Sequence, residues 1–279
     1  MTYNGFFRGK SVLITGASSG IGRTLALQLG AAGAQLTLSA RRADLLAALA
    51  AELVHAGAAS PVISVGDVTR DGDPDRAVAD AVSRFSKLDV VFANAGFGVV
   101  GNFERLELSD YRRQFETNVF GVLRTLKACD AQIRRQRGNV VLIGSVAGYC
   151  ATPGNSAYCM SKFAIRALAR SITPELARVG VAVTLISPGF VASNIRKVDN
   201  LDRFHAGAPD PLPAWLVVDT ERACRQILRA VAARRAEAII TGHGKVLVAV
   251  ERFAPWILRR AGRRMAARGR GYRPEAGAH

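Results

Sequence analysis

The chain lacks several features that would point elsewhere. Its four cysteines, at 129, 150, 159 and 224, never adopt a C-x-x-C spacing. A disulfide framework and a cysteine-rich zinc site are therefore not expected. The reading is a reduced, cytoplasmic protein without a metal. No run approaches the ~20 consecutive apolar residues that cross a membrane. The opening MTYNGFFRGKS holds no apolar core of the secretory-signal type. Low-complexity tracts and repeats of solenoid period are missing too. Acids are scarce: 22 Asp and Glu face 38 Lys and Arg, leaving a formal net charge of +16. Part of that excess sits at the end, where eight arginines from Arg252 onward stand against one acid, Glu275. The rest is spread in pairs such as Arg112–Arg113, Arg134–Arg135 and Arg234–Arg235, which reads as solvated helix faces. With no recognition module in view, nucleic acid is an unlikely partner.

What the chain does have is a rhythm. Short apolar runs recur at 11–15, 35–39, 62–65, 89–93, 139–145, 182–187 and 238–241, and none alternates cleanly with polar residues. Strands buried on both faces have this composition. Between them lie segments of helical spacing, at about 20–32, 42–56, 74–87, 109–135, 156–179 and 219–235. Such alternation implies a parallel sheet with helices on both faces. The expectation is a Rossmann-like, doubly wound α/β fold of seven strands, a three-layer sandwich, in one domain over 1–250. Segment 190–216 is long and Pro-rich toward its end, and is expected as a substrate lid. Residues 251–279 are expected as a basic helix and tail.

The first apolar run leads into 15-TGASSGIG-22, directly before a helical pattern. Glycine permits the tight turn and a close approach of the backbone to a phosphate. The helix N-terminus offers N–H groups and the positive end of a dipole. Gly16, Ser18, Ser19, Gly20, Ile21 and Gly22 are thus the expected cradle of a dinucleotide. The spacing differs from G-x-G-x-x-G.

The TGxxxGxG spacing resembles the short-chain dehydrogenase/reductase family, and the resemblance continues from about residue 10 to 195. It rests on 94-NAG-96 after the fourth strand, on Asn118 in 117-TNVFG-121, on Ser145 thirteen residues before 158-YCMSK-162, and on 187-SPGFVAS-193. The resemblance implies an oxidoreductase with Asn118, Ser145, Tyr158 and Lys162 as catalytic residues. It implies cofactor contacts from Asp67, Val68, Asn94, Ala95, Gly96, Tyr158, Lys162, Pro188, Gly189, Val191 and Ser193. Two positions depart from the family's habit: Gly144 stands where a second Ser is frequent, and Ser193 where Thr is usual.

The chemistry is consistent with that set. Tyr158 and Lys162 are four apart and share a helix face. A phenol titrates near ~10 in water, and a neighbouring ammonium favours its phenolate. Tyr158 then serves as general acid toward a carbonyl or as base toward an alcohol. Ser145, at a strand end, would hold the substrate oxygen. By resemblance, Asn118 would hold a water that relays protons to Lys162.

One absence matters more than the others. NAD-binding relatives of this fold place an acid about 20 residues past the glycine loop, to bind the ribose 2′-hydroxyl. Here the second strand ends in Ser39-Ala40, and Arg41 and Arg42 follow. Arginine forks onto phosphate oxygens. Cations are also disfavoured at a helix N-terminus, so local structure alone does not account for the pair. The cofactor expected is NADP(H), with Arg41 the leading contact, Arg42 the second, and Ser18 adding a hydroxyl.

Apolar residues Phe97, Val99, Cys150, Phe190 and Trp215 are the candidate substrate pocket, which suggests a hydrophobic ketone or aldehyde. A lipid-type ketone, such as a 3-keto long-chain base or a steroid, and a noncatalytic NADP(H)-binding sensor are the alternatives. In the tail, Phe253, Ile257, Ala261 and Met265 recur at i+4, with Arg259, Arg260 and Arg263 roughly opposite. That helix could dock on its own or a partner subunit. It could instead lie on a membrane surface with Trp256 and Phe253 as anchors, or attract nucleic acid without specificity. The family resemblance implies a homodimer or homotetramer formed through the helices at about 109–135 and 156–179.

Overall fold

The computed structural model describes residues 3–192, 199–201, 203, 205 and 213–267. Ser193, most of the expected lid and the tail from 268 lie outside the described residues. Seven strands form one sheet: β1 (Ser11–Thr15), β2 (Gln35–Ala40), β3 (Val62–Val65), β4 (Val90–Ala93), β5 (Asn139–Ile143), β6 (Ala182–Pro188) and β7 (Glu237–Ile240). Their order is β3-β2-β1-β4-β5-β6-β7, and every pairing is parallel. β1, β4 and β5 are buried along their whole length, as their unbroken apolar runs require. β3, at one edge, exposes Ile63 and Val65.

Helices cover both faces. Pleating sends Val12 and Ile14 to one side and Leu13 to the other. The first side is sealed by Phe7 of α1 (Tyr3–Phe7), by α2 (Gly20–Ala31) and α3 (Ala43–His55), and by Ile227 and Leu228 of α8 (Thr220–Ala232). The second side is sealed by α4 (Asp73–Phe85), α6 (Gly121–Gln136) and α7 (Ser156–Ala177), through Ala81, Ile133 and Ile165 among others. Each large buried side chain among them, such as Phe7, Ile133 and Ile165, contributes about 1.5–3 kcal/mol of hydrophobic stabilisation.

The differences from the sequence reading have local causes. The run at 139–145 ends as a strand at Ile143. Gly144 N–H still bonds Ile186 O at 2.7 Å, but the Ser145 hydroxyl accepts from Ala147 N–H at 3.1 Å and starts a 3₁₀ turn over 146–148. The helix expected over 109–135 is instead α5 (Leu108–Phe115), a π-helical turn over Glu116–Phe120, and α6. The N-terminal α1 and the helix α9 (Gly242–Phe253) had no reading, since both contain glycine and α1 has only five residues. The expected boundary at 250 therefore falls inside α9.

Pro255 opens α10 (Pro255–Ala267), in the first-turn position that its fixed φ favours. Phe253 belongs to α9, so it does not extend the stripe of Ile257 and Ala261 along α10. Among the described side chains of α10 the half-buried positions are Pro255, Leu258 and Gly262, with Gly262 against the ring of Pro153.

Phe7 is fully buried, with the Phe6 ring edge-on at 4.9 Å. Phe7→Ala is expected to cost about 3–5 kcal/mol in urea unfolding. A loss below about 1 kcal/mol would mean that α1 is not part of the core.

Candidate active site

The strand order reverses between β1 and β4: connections lead to β2 and β3 on one side and to β5, β6 and β7 on the other. In such sheets a crevice opens beyond the carboxyl ends of the strands at that point. Here the glycine loop, the ends of β2, β4, β5 and β6, and the first turns of α7 line one crevice.

The glycine loop is fixed from β4. Thr15 Oγ1 accepts from the N–H groups of Asn94, at 3.1 Å, and Ala95, at 3.2 Å. Asn94 Nδ2 donates back to Thr15 O, at 2.9 Å, and to Gly16 O, at 3.2 Å. Gly16 has φ +66°, and a Cβ there would come within 2.8 Å of Ala95 Cα. Gly22 lies behind the loop: a Cβ would sit 2.2 Å from Gly16 O and 2.6 Å from Asn94 Nδ2. It packs the helix against the loop and does not line the crevice. Ser19 is the N-cap residue of α2, yet its side chain makes no cap bond. Its hydroxyl and that of Ser18 accept from Arg42 Nη2, each at 2.9 Å. Arg41 also lines the crevice. Arg42 thus reaches across to the glycine loop. Asp67 lines the crevice too, but Oδ1 also closes a local turn, accepting from Thr69 N–H and Oγ1 at 2.9 and 2.8 Å.

Ser145, Tyr158 and Lys162 meet at the other end. Tyr158 lies in the first turn of α7, with its ring beside Gly98. One turn on, Lys162 is buried, with Nζ 5.7 Å from the Tyr158 ring centroid. Nζ donates to Ile143 O at 2.9 Å. Burial lowers its pKa to about 8, because the ammonium loses its hydration. The segment carrying Ser145 presses on α7 where Gly148 meets the Lys162 carbonyl; a Cβ at Gly148 would lie 2.7 Å from that oxygen. Tyr149 anchors the same segment. Its hydroxyl bonds Glu237 and Ser187, and the Arg166 guanidinium lies 3.9 Å above its ring. Burial, followed by the Glu237 bond, pushes the Tyr149 phenol up to about 12, so it stays protonated at neutral pH.

Asn118 sits in the π-turn, where an i→i+5 register bulges the helix. It is buried behind the crevice wall. Its Oδ1 accepts from Phe97 N–H at 3.1 Å, and its Nδ2 donates to Phe97 O at 3.0 Å and Ser161 Oγ at 3.2 Å. Ser161 Oγ donates in turn to Tyr158 O at 2.7 Å. The Asn118 side chain therefore couples the Phe97 segment to the helix turn bearing Tyr158.

Ile21, Val68, Ala95, Gly96, Pro188, Gly189 and Val191 all line the crevice, and so do Phe97, Cys150 and Phe190 of the expected pocket. Two pocket residues do not. Val99 is fully buried in a small core with Phe97 and Ala157. Trp215 is 84% exposed and away from the lining. Thr152, Asn155 and Leu247 line the crevice without having been singled out. Closeness to Tyr158 in sequence was the available signal for the first two. Leu247 lies on α9, which gave none.

The family described as short chain dehydrogenase matches residues 10–203. The chain belongs to the short-chain dehydrogenase family. It is an oxidoreductase of the kind that acts on alcohols and carbonyls with NAD(P)(H). It is similar to a glucose 1-dehydrogenase from Gluconobacter oxydans, 31% identical over 211 residues that make up 73% of this chain and 78% of the relative. It also resembles an 11-beta-hydroxysteroid dehydrogenase A from Arachis hypogaea, 34% identical over 190 residues, 68% of this chain but only 54% of that longer relative. Among solved structures, an alcohol dehydrogenase from the archaeon Thermococcus sibiricus complexed with 5-hydroxy-NADP superposes with a TM-score of 0.71. It is 27% identical, and the match covers 83% of this chain and 95% of that one. No helix among the described residues is long and apolar enough to cross a membrane.

Gly22→Ala tests the fixed glycine loop. Even a methyl group has no room there, so dinucleotide affinity is expected to fall at least about tenfold by calorimetry. Unchanged affinity would mean that the loop does not carry the phosphates.

Proposed function

We propose that the chain is an NADPH-dependent carbonyl reductase that interconverts a hydrophobic ketone or aldehyde and its alcohol. The observation that carries this reading is the convergence, in one crevice, of the pinned glycine loop, the Arg41–Arg42 pair and the Tyr158–Lys162 helix face. The residues fit the dinucleotide. The first turn of α2 has no side-chain cap competing for its N–H groups, and Gly16 and Gly20, both at positive φ, present bare backbone to the crevice. At the end of β2, Arg41 and Arg42 favour a 2′-phosphate, with Ser18 and Ser19 bonded to the same guanidinium. α3 begins at Ala43 with Arg42 as its N-cap residue, a poor place for a cation unless an anion is there to meet it.

When bound, the cofactor supplies a hydride to the carbonyl carbon. Tyr158 Oη donates its proton to the carbonyl oxygen, and Ser145 Oγ donates a hydrogen bond to the same oxygen. The Lys162 ammonium, held in a dry environment, makes the tyrosine easier to ionise. Asn118 acts from behind, keeping Phe97 and the Tyr158 turn in register; a water bridging the π-turn backbone to Lys162 would complete a proton path. Phe97, Cys150, Phe190 and Leu247 give the pocket its apolar wall, which supports a hydrophobic substrate.

The catalytic unit we infer runs to Phe253, the end of α9, with α10 and the tail appended. Partly exposed Phe120, Met160 and Phe163, around the start of α6 and on α7, support a homo-oligomer built on these helices. Four free, buried cysteines fit a cytoplasmic setting. A second reading, a lipid-type ketone reduced at a membrane surface, is favoured by one feature. Phe253 is 78% and Trp256 62% exposed, beside Arg252, Arg259 and Arg260. The hydroxysteroid dehydrogenase relative is consistent with that substrate class.

Tyr158→Phe is expected to lower kcat about 100-fold or more while leaving NADPH affinity in place. Full activity in that variant would reject the mechanism, and tight NADPH binding by the wild type without turnover on any ketone would indicate a sensor. Replacing Arg41 and Arg42 with Ala should raise KM for NADPH about tenfold and leave KM for NADH nearly unchanged. Equal changes for both would remove the preference for NADPH.

A further inference from the structure

The wall of the pocket at Phe190 depends on a residue outside it. Where β6 ends, Gly189 N–H still finds a strand partner, Ile240 O at 3.1 Å. Phe190 N–H, one residue on, does not. It donates to Nε2 of His243 in α9, at 2.8 Å. The imidazole also stacks on the Phe190 ring, with centroids 5.4 Å apart and planes at 17°. On its other side Phe190 O accepts from Val218 N–H at 2.9 Å, and Ala192 N–H bonds Val218 O at 2.9 Å, around the bridge between Val191 and Val218. Phe190 is thus gripped by its carbonyl, its N–H and its ring face.

The grip leaves no slack. A Cβ on Gly189 would lie 2.5 Å from His243 Nε2 and 2.4 Å from Thr241 Oγ1. Thr241 has φ +89° and ψ 141°, a conformation that a β-branched residue rarely adopts. Such strain persists only where the surroundings enforce it, and it clusters at functional sites. The Thr241 hydroxyl lies 3.1 Å from His243 Nε2 and accepts from Gly244 N–H at 3.2 Å, so it caps α9 and contacts the ring together.

We propose that His243 is a positioning residue for the substrate pocket, its unprotonated Nε2 and its ring face together fixing Phe190 as the wall against which the carbonyl substrate lies. This rests on reading the crevice as a reductase site. An imidazole suits the task because it offers an in-plane acceptor and a flat apolar face in one side chain. A proton on Nε2 would set N–H against N–H. Burial lowers the His243 pKa, and no charged side chain contributes to that shift. The residues facing the ring are Gly189 and Phe190, just past β6, and Thr241, just past β7, none of which titrates in this range. The grip is therefore complete above the ordinary histidine value and released as pH falls through the lowered one.

Two variants separate the parts. His243→Phe keeps a ring and loses the acceptor; His243→Gln keeps an acceptor that cannot titrate. With an aryl alkyl ketone as probe, His243→Phe is expected to raise KM for the ketone about fivefold or more, with kcat and NADPH affinity changed less than about twofold. Hydrogen exchange at the Phe190 amide should speed up in parallel. His243→Gln should keep a near-wild-type KM at about pH 7.5 and lose the rise in KM that the wild type shows toward about pH 5.5. An unchanged KM in His243→Phe, or the same pH profile in His243→Gln as in the wild type, would overturn the proposal. Should the wild type reduce no ketone, the reductase reading fails separately. The Phe190 amide then decides the grip alone: faster exchange in His243→Phe upholds it, and equal exchange overturns it.

Discussion

The side chain of Asn94 bridges the two strands at which the sheet's connections part. Its Nδ2 holds the carbonyls of Thr15 and Gly16, while the Thr15 hydroxyl holds the backbone of Asn94 and Ala95. This exchange ties the end of β1 to the end of β4 at the point where a parallel sheet would otherwise gape. The loop can then leave Gly16 and Gly20 without side chains and still be rigid. Glycine at 16 and at 22 follows from the same contact, because the bridged backbones leave no volume for a Cβ. The proposed phosphate cradle needs to be both open and preorganised, and the Asn94 bridge serves that role.

At the other end of the crevice, burial is put to a different use. Lys162 is almost without solvent, and its ammonium donates to Ile143 O. Its desolvation would be costly in a protein with no use for it. Facing the proposed acid Tyr158, it is a source of electrostatic stabilisation that water cannot screen. Tyr149 shows the contrast. It is also a partly buried tyrosine beside a cation, but it bonds Glu237, and its phenol is pushed up to about 12. Tyr149 thus anchors a segment, while Tyr158 lines the crevice as the proposed proton donor.

Much of this arrangement was legible in the sequence because it is local. A strand, a glycine loop and a helix start occupy adjacent residues, and Tyr158 and Lys162 are one turn apart. The seven strands could be found because burial on both faces erases alternation. What could not be read is long-range or depends on shape. The π-turn at 116–120 has the same composition as an α-helix, and only the demand of Phe97 on Asn118 reveals it. α9 begins Gly-His-Gly and resembles a loop, so neither Leu247 nor His243 could be assigned a place. Hydrophobicity alone marks Trp215 as a pocket wall, but the structure leaves it in solvent. That Arg42 spans to Ser18 and Ser19 is a matter of direction, which spacing does not encode.

The most direct measurement follows an isotope. Wild-type enzyme is incubated with NADPH carrying deuterium at C4 of the nicotinamide, on whichever face is transferred, and with an aryl alkyl ketone. The alcohol is then analysed by mass spectrometry. The expected result is one deuterium on the carbinol carbon, with NADPH preferred to NADH as donor. An alcohol formed without the label from either face, or no alcohol while the dinucleotide binds tightly, would contradict a crevice built for hydride transfer to a carbonyl.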